Sequence, residues 1–387
     1  MGTATSSGAA IRHTQSSGIA RRFVESKLAS ADITINGGRP FDPWVLDDRF
    51  YDRVFWQGTL GLGEAYVEGW WECEALDQFF HRILSSGLAK ATQWSFAELA
   101  NILQARFFNL QNLSRAWQVG EQHYDVGNDL YRRMLDSRLV YTCAYWQNAR
   151  TLDEAQEAKL DLVCRKIGLR ASDHILDIGC GWGSFAKYAA ENYGAAVDGI
   201  TISKKQIALG NTLCRGLPVD LKLMDYRMLN QTYDHIVSLG MFEHVGEKNY
   251  RTYFETAARS LKDDGLFLLH TMGSGETFHT GDPWLMKHIF PNGMVPSINQ
   301  IGKAIEGLFV IEDLHNFGAD YDRTLMQWFR NFDRTWSEIE ANYPEDFYRK
   351  WKYYLLSLAG VFRARHVHLW QIVLSKRGVR GGYTRPE

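Results

Sequence analysis

The sequence of 387 residues is poor in cysteine, contains no C-x-x-C pair and has no long apolar run. The odd number of cysteines and their spacing argue against a structural zinc site and predict reduced thiols, as in a reducing cytosol. No stretch approaches the roughly 20 apolar residues that span a bilayer. Residues 1–18 are small, polar and rich in glycine, so we expect a disordered tail and no signal peptide. If the protein handles lipid, we expect it to do so from the cytosolic side.

A strong charge of either sign is also missing, because 43 basic residues nearly balance 45 acidic ones and give a net charge of -2. No global field would therefore attract nucleic acid, and a membrane contact would need a local basic patch. Aromatic residues are abundant instead, at 13% of the chain. Some of them could line a site for an apolar substrate, although a single aromatic residue usually packs in a core.

The first third of the chain predicts a small α+β domain. Residues 20–28 have the apolar spacing of a short amphipathic helix, and residues 32–36 alternate like a strand before a Gly-Gly turn. The glycine-punctuated segment 58–72 is too apolar for a linker and predicts a loop and a helix. A further apolar stripe fits either an interfacial helix or a helix that packs on its own domain. It comprises Leu99, Ile102, Leu103, Phe107 and Leu110.

Apolar runs and helical segments then alternate regularly, which predicts an α/β fold with a mostly parallel sheet and helices on both faces. The seventh run alternates before it becomes apolar, as expected of an antiparallel strand inserted near an edge. The predicted strands are residues 174–178, 196–202, 219–224, 233–239, 265–271, 309–316 and 366–374. An insert after the fifth strand, 273–297, is predicted to form a lid. We divide the chain into a tail (1–18), an N-terminal domain (19–115) and an α/β domain (116–387).

Three glycines in five residues follow the first strand of this sheet, namely Gly179, Gly181 and Gly183. Glycine permits positive φ and lets a ligand approach the main chain, and open α/β sheets bind ligands at the carboxyl ends of their strands. The spacing is G-x-G-x-G and not the G-x-G-x-x-G of dinucleotide sites. With Asp177 before it, the loop resembles the first motif of the Rossmann-like methyltransferases that use S-adenosylmethionine (AdoMet). The alternative is a generic strand-to-helix turn.

Polar side chains at the ends of the next strands could complete such a site. Thr201 lies at the end of the second strand and Gln206 follows that strand, and both could bond ribose hydroxyls, whereas Asp198 points to the opposite face of the strand. Asp225 follows the third strand, where an adenine amine could be read. Each residue alone is ambiguous, but their placement at the ends of successive strands favours a cofactor site.

A second cluster follows the fourth and fifth strands. Glu243 lies just after the fourth strand and His270 closes the fifth, so both side chains should reach one crevice. A single buried Glu or His is more often a satisfied core group. Two such groups at adjacent strand ends, beside a cofactor site, favour a catalytic role.

Several motifs together carry a resemblance to one family. They are HYDVGNDLY, YTCAYW, LDIGCGWG, GMFEHVG, LLHT, IFPNG, HNFGADYD and FRAR, with GTLGLGEAYVEGWWE in the N-terminal part. Over residues 19–375 the chain resembles the bacterial cyclopropane-fatty-acyl-phospholipid synthases, which implies a Rossmann-like seven-stranded methyltransferase fold with a smaller N-terminal α+β domain. The resemblance implies transfer of a methylene unit from AdoMet to the cis double bond of an unsaturated acyl chain in a membrane phospholipid. It also implies a bound bicarbonate that serves as base.

The same resemblance assigns site residues motif by motif, and it implies no metal. The AdoMet contacts fall on Tyr141, Gly179, Gly181, Thr201, Gln206, Asp225 and Leu239. The bicarbonate site falls on Cys143, Glu243, His270, Met272 and Tyr321. Met272 stands where relatives carry isoleucine, a change that should be tolerated if the contact is through the backbone. Cys143 has no charged neighbour in sequence, so we favour an anion-site role over a nucleophilic one.

The resemblance further implies a lipid-binding N-terminal domain, a homodimer, and a cytoplasmic protein that contacts the inner face of the cell membrane peripherally. Methyl transfer to an alkene would leave a carbocation, which aromatic faces could stabilise by cation–π attraction. The candidates are Tyr141, Tyr145, Trp146 and Tyr321. Three alternatives stay open: a relative that stops at a methyl-branched chain, a non-catalytic lipid-binding relative, and a methyltransferase for a soluble substrate.

Overall fold

The computed structural model describes residues 18–87 and 127–386. The predicted tail, the apolar stripe that begins at Leu99, the predicted domain boundary at 115/116 and the start of the HYDVGNDLY motif lie outside these residues. Among the described residues, no helix is both long and apolar enough to cross a membrane. All five cysteines are described, and each is buried with a free thiol: Cys73, Cys143, Cys164, Cys180 and Cys214.

The described N-terminal part contains three helices and an antiparallel two-stranded sheet, in agreement with the predicted α+β composition. The elements are α1 (Gly18–Ser30), β1 (Trp44–Val45), α2 (Arg49–Val67), β2 (Trp71–Glu72) and α3 (Leu76–Ser85). Helix α1 confirms the helix predicted over residues 20–28. The helix expected within 58–72 is the second half of α2, which bends at Gly58, where φ is 56° and ψ is -131°.

The strand predicted over residues 32–36 is wrong. Asp32 and Asn36 have φ values of 55° and 56°, a left-handed backbone that interrupts any regular strand. Nearby, the buried carboxylate of Asp42 accepts hydrogen bonds from the backbone nitrogen and from Nε of Arg39, at 3.1 and 2.9 Å. Local hydrogen bonds to this side chain stabilise a series of turns in place of a ladder.

A seven-stranded sheet forms the centre of the α/β domain and confirms all seven predicted strands, each within two residues of its expected bounds. The strands are β3 (His174–Ile178), β4 (Ala196–Thr201), β5 (Val219–Leu223), β6 (His235–Leu239), β7 (Leu266–Gly273), β8 (Val310–Asn316) and β9 (His368–Ser375). Their order is β5-β4-β3-β6-β7-β9-β8. Strands β3 to β7 pair in parallel, and β9 is antiparallel to both β7 and β8. The final strand is therefore inserted beside the edge, as predicted.

Helices cover both faces of this sheet. They are α4 (Asn128–Met134), α5 (Leu152–Lys166), α6 (Ser184–Tyr193), α7 (Lys204–Leu213), α8 (Tyr250–Ser260), α9 (Pro283–His288), α10 (Ile298–Ile305), α11 (Ala319–Thr335) and α12 (Phe347–Arg363). One core joins a face of the sheet to α8 and α10, and a second core joins the opposite face to α5 and α6. Because neighbouring strand residues point to opposite faces, Leu176 lies in the first core and Ile175 in the second.

The N-terminal part shares a third core with α11 and α12. Helix α3 approaches α12 closely at Gly360, where a Cβ would lie 2.6 Å from the backbone oxygen of Asp77. Arg363, near the end of α12, forms ion pairs with Asp77 at 2.5 Å and with Asp322 at 2.8 Å. Helix α12 therefore packs against both the N-terminal helices and the α/β domain.

The insert predicted to form a lid contains α9, which packs against α2. The ring of Trp284 lies over Gly63, where a Cβ would come within 2.4 Å of the ring atom Cδ1. Oε1 of Glu64 accepts hydrogen bonds from Nζ of Lys287 at 2.5 Å and from Nε2 of His288 at 2.8 Å. The N-terminal helix thus anchors this part of the insert.

Candidate active site

A cavity with about 1290 Å³ of empty space, its open mouth included, lies at the carboxyl ends of β3, β4, β5 and β6. Ligands of open α/β sheets bind at this edge. All seven residues predicted to contact AdoMet line the cavity: Tyr141, Gly179, Gly181, Thr201, Gln206, Asp225 and Leu239. Residues that are far apart in sequence are therefore brought to one site.

The glycine loop forms one wall of the cavity. Gly179, Gly181 and Gly183 have φ values of 85°, 56° and 79°, which other residues adopt only with strain. A Cβ on Gly179 would lie 2.6 Å from the Cβ of Met241, whereas the atom nearest to a Cβ on Gly181 is Nε2 of Gln206, at 4.0 Å. A ligand can therefore reach the main chain at Gly181.

Polar side chains after β4 and β5 are held by local hydrogen bonds. Oγ1 of Thr201 donates to Oε1 of Gln206 at 2.8 Å, and both residues are buried. Asp225 is also buried and caps the turn after β5 by accepting a backbone N–H at 2.9 Å. Asp198 does not line the cavity and accepts a hydrogen bond from Nζ of Lys222 at 2.7 Å. Its predicted orientation away from the cavity is confirmed.

Two ionisable residues of the cavity wall, Lys159 on α5 and Asp177 on β3, are absent from the predicted site. Burial raises the pKa of Asp177 to about 7, although Lys159 opposes the rise. Oδ1 of Asp177 has no hydrogen-bond partner among the described residues. Nζ of Lys159 donates to Oγ1 of Thr142 at 2.7 Å, and burial lowers its pKa to about 8. Asp177 is visible in sequence as the acid before the glycine loop, whereas Lys159 resembles any lysine of a charged helix.

Glu243 is held by a backbone hydrogen bond. It lies in the short 3-10 turn Phe242–His244 after β6, and its Oε1 accepts from the backbone nitrogen of Met272 at 2.6 Å. Burial raises its pKa, while the Met272 N–H and the nearby Thr271 hydroxyl oppose the rise. Oε2 is buried and has no hydrogen-bond partner in the part of the chain that the structure describes. Glu243 therefore protonates more readily than an exposed glutamate, and Oε2 is the oxygen free to carry the proton.

His270 lies on β7 directly opposite Gln371 of β9. Its Nδ1 is 3.3 Å from Nε2 of Gln371, and its own Nε2 is buried without a partner among residues 18–87 and 127–386. Burial lowers the pKa of His270 well below its usual value, and the cations Lys159 and Lys166 lower it further. The imidazole is therefore neutral near pH 7.

Cys143 has a fully buried thiol. Its Sγ lies 3.2 Å from the backbone oxygen of Ala144 and can donate to it. Burial raises the pKa of Cys143 well above its usual value, and a nucleophilic cysteine needs the opposite shift. The environment therefore supports the preference for a non-nucleophilic role.

Phe317 connects the residues predicted for the anion site. It forms a small apolar cluster with Cys143, against which Met272 and Tyr321 pack. The centre of the Phe317 ring lies 5.9 Å from that of His270. The backbone N–H of Met272 also donates to Oε1 of Glu243. The five residues predicted for the anion site therefore form one continuous group.

Two of the predicted aromatic residues, Tyr141 and Tyr321, pack against Trp328. The ring centres of Tyr141 and Tyr321 are 5.1 and 5.9 Å from that of Trp328. Trp146 differs, because the guanidinium of Arg323 already lies 4.4 Å from its ring centre. The side chain of Arg323 thus already occupies one face of Trp146. Trp146 is therefore the weakest of the predicted candidates for stabilising a carbocation on the substrate.

One short segment joins the cavity to the anion-site group. Tyr141 lines the cavity, whereas Cys143, two residues later, belongs to the apolar cluster. Between them, the backbone oxygen of Thr142 accepts a hydrogen bond from Nε2 of Gln156 at 2.8 Å. The two sites are therefore neighbours, as acid–base chemistry beside a bound methyl donor requires.

Comparison with known proteins agrees with this geometry. A family model described as mycolic acid cyclopropane synthetase matches residues 111–372. The cyclopropane-fatty-acyl-phospholipid synthase of Escherichia coli strain K12 is 52% identical over 361 residues, which cover 93% of this chain and 94% of that protein. A probable fatty acid methyltransferase of Pseudomonas putida is 36% identical over 285 residues, covering 68% of this chain and 70% of that protein.

Solved structures show the same architecture. The cyclopropane synthase MmaA2 from Mycobacterium tuberculosis is 30% identical with a TM-score of 0.64. The match covers 70% of this chain and 100% of the MmaA2 chain. The mycolic acid cyclopropane synthase CmaA1, complexed with SAH and CTAB, is 31% identical with a TM-score of 0.63 and coverage of 67% and 98%.

The seven-stranded sheet and its cavity define the chain as an AdoMet-dependent methyltransferase with a Rossmann-like fold. Within that class, the chain belongs to the cyclopropane fatty acid synthase family. The predicted fold and family are thereby confirmed, and the roles of individual site residues stay predictions.

Proposed function

We propose that the protein transfers a methylene unit from AdoMet to the cis double bond of an unsaturated acyl chain in a membrane phospholipid and so forms a cyclopropane ring. The name and near full-length similarity of the E. coli relative support this substrate class. The observation that carries the proposal is the pair of buried groups, Glu243 and His270, beside the cavity. Methyl transfer to an alkene leaves a carbocation that must lose a proton to a base, and a ring closes only if that proton comes from the transferred carbon.

The cavity suits AdoMet in charge as well as in position. AdoMet supplies the sulfonium methyl group when bound. The open backbone at Gly181 leaves room for its amino-acid part, and Thr201 and Gln206 offer polar atoms to its hydroxyl groups. The buried oxygen of Asp177 that lacks a partner favours a ligand with net positive charge.

We propose that the anion-site group, Cys143, Glu243, His270, Met272 and Tyr321, holds bicarbonate, which supplies a base. The fit depends on two buried polar atoms without partners in the described part of the chain, Oε2 of Glu243 and Nε2 of His270. A protonated Glu243 donates its O–H to an anion and avoids a second buried negative charge. The neutral imidazole can donate or accept, depending on its tautomer.

Aromatic residues pack around Trp328. Tyr141, which lines the cavity, and Tyr321, which belongs to the anion-site group, both contact its ring, and both are partly buried in the core. We propose that these rings exclude water and stabilise the positive charge that develops on the acyl chain, each by about 1 to 2 kcal/mol when desolvated.

We further propose that the N-terminal part contacts the cytoplasmic face of the cell membrane peripherally. Ile19 and Phe23 lie one turn apart on α1 and are 66% and 39% exposed, and Trp56 on α2 is 67% exposed. The ring of Phe55 joins Phe23 and Trp56 through edge-on contacts at 5.1 and 5.0 Å. Such aromatic groups favour membrane interfaces, and a homodimer, which we also propose, would double this contact by avidity.

Expression in a host without its own cyclopropane synthase, followed by mass spectrometry of the phospholipids, tests the main proposal. We expect acyl chains that gain one CH2 unit and carry a ring in place of the double bond. A methyl-branched chain would instead indicate a fatty acid methyltransferase. Unchanged lipids would exclude the proposed reaction, and an AdoMet-binding assay would then separate a methyltransferase for a soluble substrate from a non-catalytic relative.

The bicarbonate part of the proposal has its own test. Purified enzyme in rigorously decarbonated buffer should lose activity, and added bicarbonate should restore it. Full activity without bicarbonate would show that another group serves as base.

A further inference from the structure

Gln371 lies in the sheet between two histidines on neighbouring strands. The register of β7, β9 and β8 pairs it with His270 on one side and with His315 on the other. Gln371 is fully buried, yet its Oε1 has no hydrogen-bond partner in the described part of the chain. Burial of an incompletely bonded amide costs stability, so the glutamine is poorly explained as a stabilising residue.

Two lysines of α5 lie near Gln371 and its two histidine neighbours. Lys159 and Lys166 are seven residues apart, which places them on one face of the helix, and both are buried. Nζ of Lys166 lies 3.1 Å from Nδ1 of His315. Burial lowers the pKa of His270, and the two lysine cations lower it further, so the imidazole stays neutral. A neutral imidazole carries its hydrogen on only one of its two nitrogens.

We propose that Gln371 is a positioning residue that fixes the tautomer of His270, with the hydrogen on Nε2. An amide nitrogen only donates, so the contact from Nε2 of Gln371 at 3.3 Å requires a lone pair on Nδ1 of His270. The hydrogen then lies on the imidazole nitrogen that has no partner among the described residues. This tautomer makes a neutral His270 a hydrogen-bond donor.

The consequence for the site rests on the proposed function. A donor at Nε2 of His270 would bind bicarbonate together with the O–H of Glu243, whereas a lone pair at that nitrogen would repel the anion. Gln371 would thus select the anion without touching it and without adding a buried charge. Gln371 does not line the AdoMet cavity, and the contact with His270 is the hydrogen bond that its amide makes in the described part of the chain.

Nitrogen NMR of protein labelled with 15N at histidine reads the tautomer directly. The signal of His270 is assigned by comparison with the His270→Gln variant. In the wild-type protein at neutral pH we expect the chemical shift of a protonated nitrogen at Nε2 and of an unprotonated one at Nδ1. Hydrogen on Nδ1, or a doubly protonated ring, would overturn the proposal, and this measurement needs no variant of Gln371.

The Gln371→Met variant then tests the cause. It keeps the length of the side chain but removes the amide donor, so we expect both tautomers to appear. The bicarbonate concentration for half-maximal activity should rise between about twofold and tenfold, the effect of one lost hydrogen bond, while AdoMet affinity stays unchanged. A variant that keeps the wild-type tautomer and bicarbonate dependence would contradict the proposal.

Gln300→Met is the matched control. Gln300 is also buried, but its amide bonds the backbone, since Nε2 donates to the oxygen of Phe278 at 3.1 Å and Oε1 accepts from the nitrogen of Ser297 at 2.8 Å. This variant should lose stability with no change in the tautomer of His270 or in bicarbonate dependence. If the wild-type enzyme needs no bicarbonate, the proposed base is wrong, and the NMR spectrum still decides the tautomer independently.

Discussion

The backbone nitrogen of Met272 donates a hydrogen bond to Oε1 of Glu243 at 2.6 Å. The bond links β7 to the turn after β6 and orients the carboxyl so that its second oxygen has no partner among the described residues. No atom of the Met272 side chain takes part in it. The side chain packs against the cluster around Cys143 and against the core that the N-terminal part shares with α11 and α12.

The Met272→Ile variant should therefore be nearly as active as the wild-type enzyme. Isoleucine keeps the backbone N–H, and an apolar exchange of similar volume usually costs less than about 1.5 kcal/mol of stability. Measurement of kcat and of urea-induced unfolding checks both expectations. A large fall in kcat at unchanged stability would show that the thioether side chain itself takes part.

The Glu243→Gln variant should lower kcat by roughly 100-fold or more, the usual contribution of a general acid or base, with little effect on AdoMet affinity. Glutamine keeps an acceptor for the Met272 N–H but cannot exchange a proton. Steady-state rates and an AdoMet titration measure the two effects separately. The control is Glu247→Gln in the next turn, where the carboxylate is partly exposed and pairs with His279. Equal losses of rate and affinity in Glu243→Gln would contradict the role of Glu243 in holding the base.

AdoMet binding should release protons near pH 7 through Asp177. Burial raises the pKa of this carboxyl to about 7, and a ligand with net positive charge would lower it again. The raised pKa also lowers the stability of the fold at neutral pH. Asp177 ionises at a lower pH in the unfolded chain than in the folded protein, so its contribution to the free energy of unfolding falls as the pH rises from about 4 to 7. Calorimetric titrations in buffers with different ionisation enthalpies measure the released protons.

The Asp177→Asn variant should abolish that proton release. Asp136→Asn is the control, because burial also raises the pKa of Asp136, to about 6, but this residue does not line the cavity. Its replacement should leave the release intact. Proton release that persists in Asp177→Asn would assign it to another group.

The Gly63→Ala variant should be destabilised by about 1 to 3 kcal/mol, because the new methyl group would overlap the ring of Trp284. The insert would have to move away from α2, so activity should fall as well. Gly302→Ala is the control: its Cβ would have no neighbour within 4 Å, and alanine in helix α10 should stabilise the protein by up to about 1 kcal/mol. Urea unfolding measures the free energy of unfolding of both variants. Equal values would mean that Trp284 moves aside at Gly63 with no loss of stability.

The Trp56→Ser variant should bind phospholipid vesicles about tenfold more weakly in a sedimentation assay, since burial of one large apolar side chain contributes roughly 1.5 to 3 kcal/mol. Met228→Ser is the control, because Met228 is similarly exposed, at 63%, but follows β5 in the α/β domain. Weakened binding in both variants, or in neither, would remove the N-terminal patch as the contact surface.

Sequence reasoning located the strands well because buried parallel strands are nearly continuous apolar runs between helices. The prediction failed over residues 32–36, where apolar and polar residues alternate as in a half-buried strand. There Asp42 stabilises turns through its hydrogen bonds instead. An apolar alternation reports which side chains are buried, and it reports a strand only if the backbone also pairs with a neighbour.

The candidate site was predictable where residues follow strand ends, as Asp225 and Glu243 do, or lie in the last residues of a predicted strand, as His270 does. Lys159 and Gln371 could not be found in this way. Each stands within a regular helix or strand, and its significance depends on a neighbour from another element, Thr142 for the lysine and His270 for the glutamine. Only the packed structure shows these pairs.

Helix α12 lies within the region that the family model matches, and it packs against N-terminal helices that lie outside that region. The family model begins at residue 111, after α1 to α3, yet it contains α12, one side of which is covered by those helices. Gly360 and Tyr353 meet α3 directly. In any relative without the N-terminal helices, this side of α12 would face water. Such relatives should have polar or larger residues at the positions of Gly360 and Tyr353. An alignment of α12 alone should therefore separate the long members of the family from the short ones.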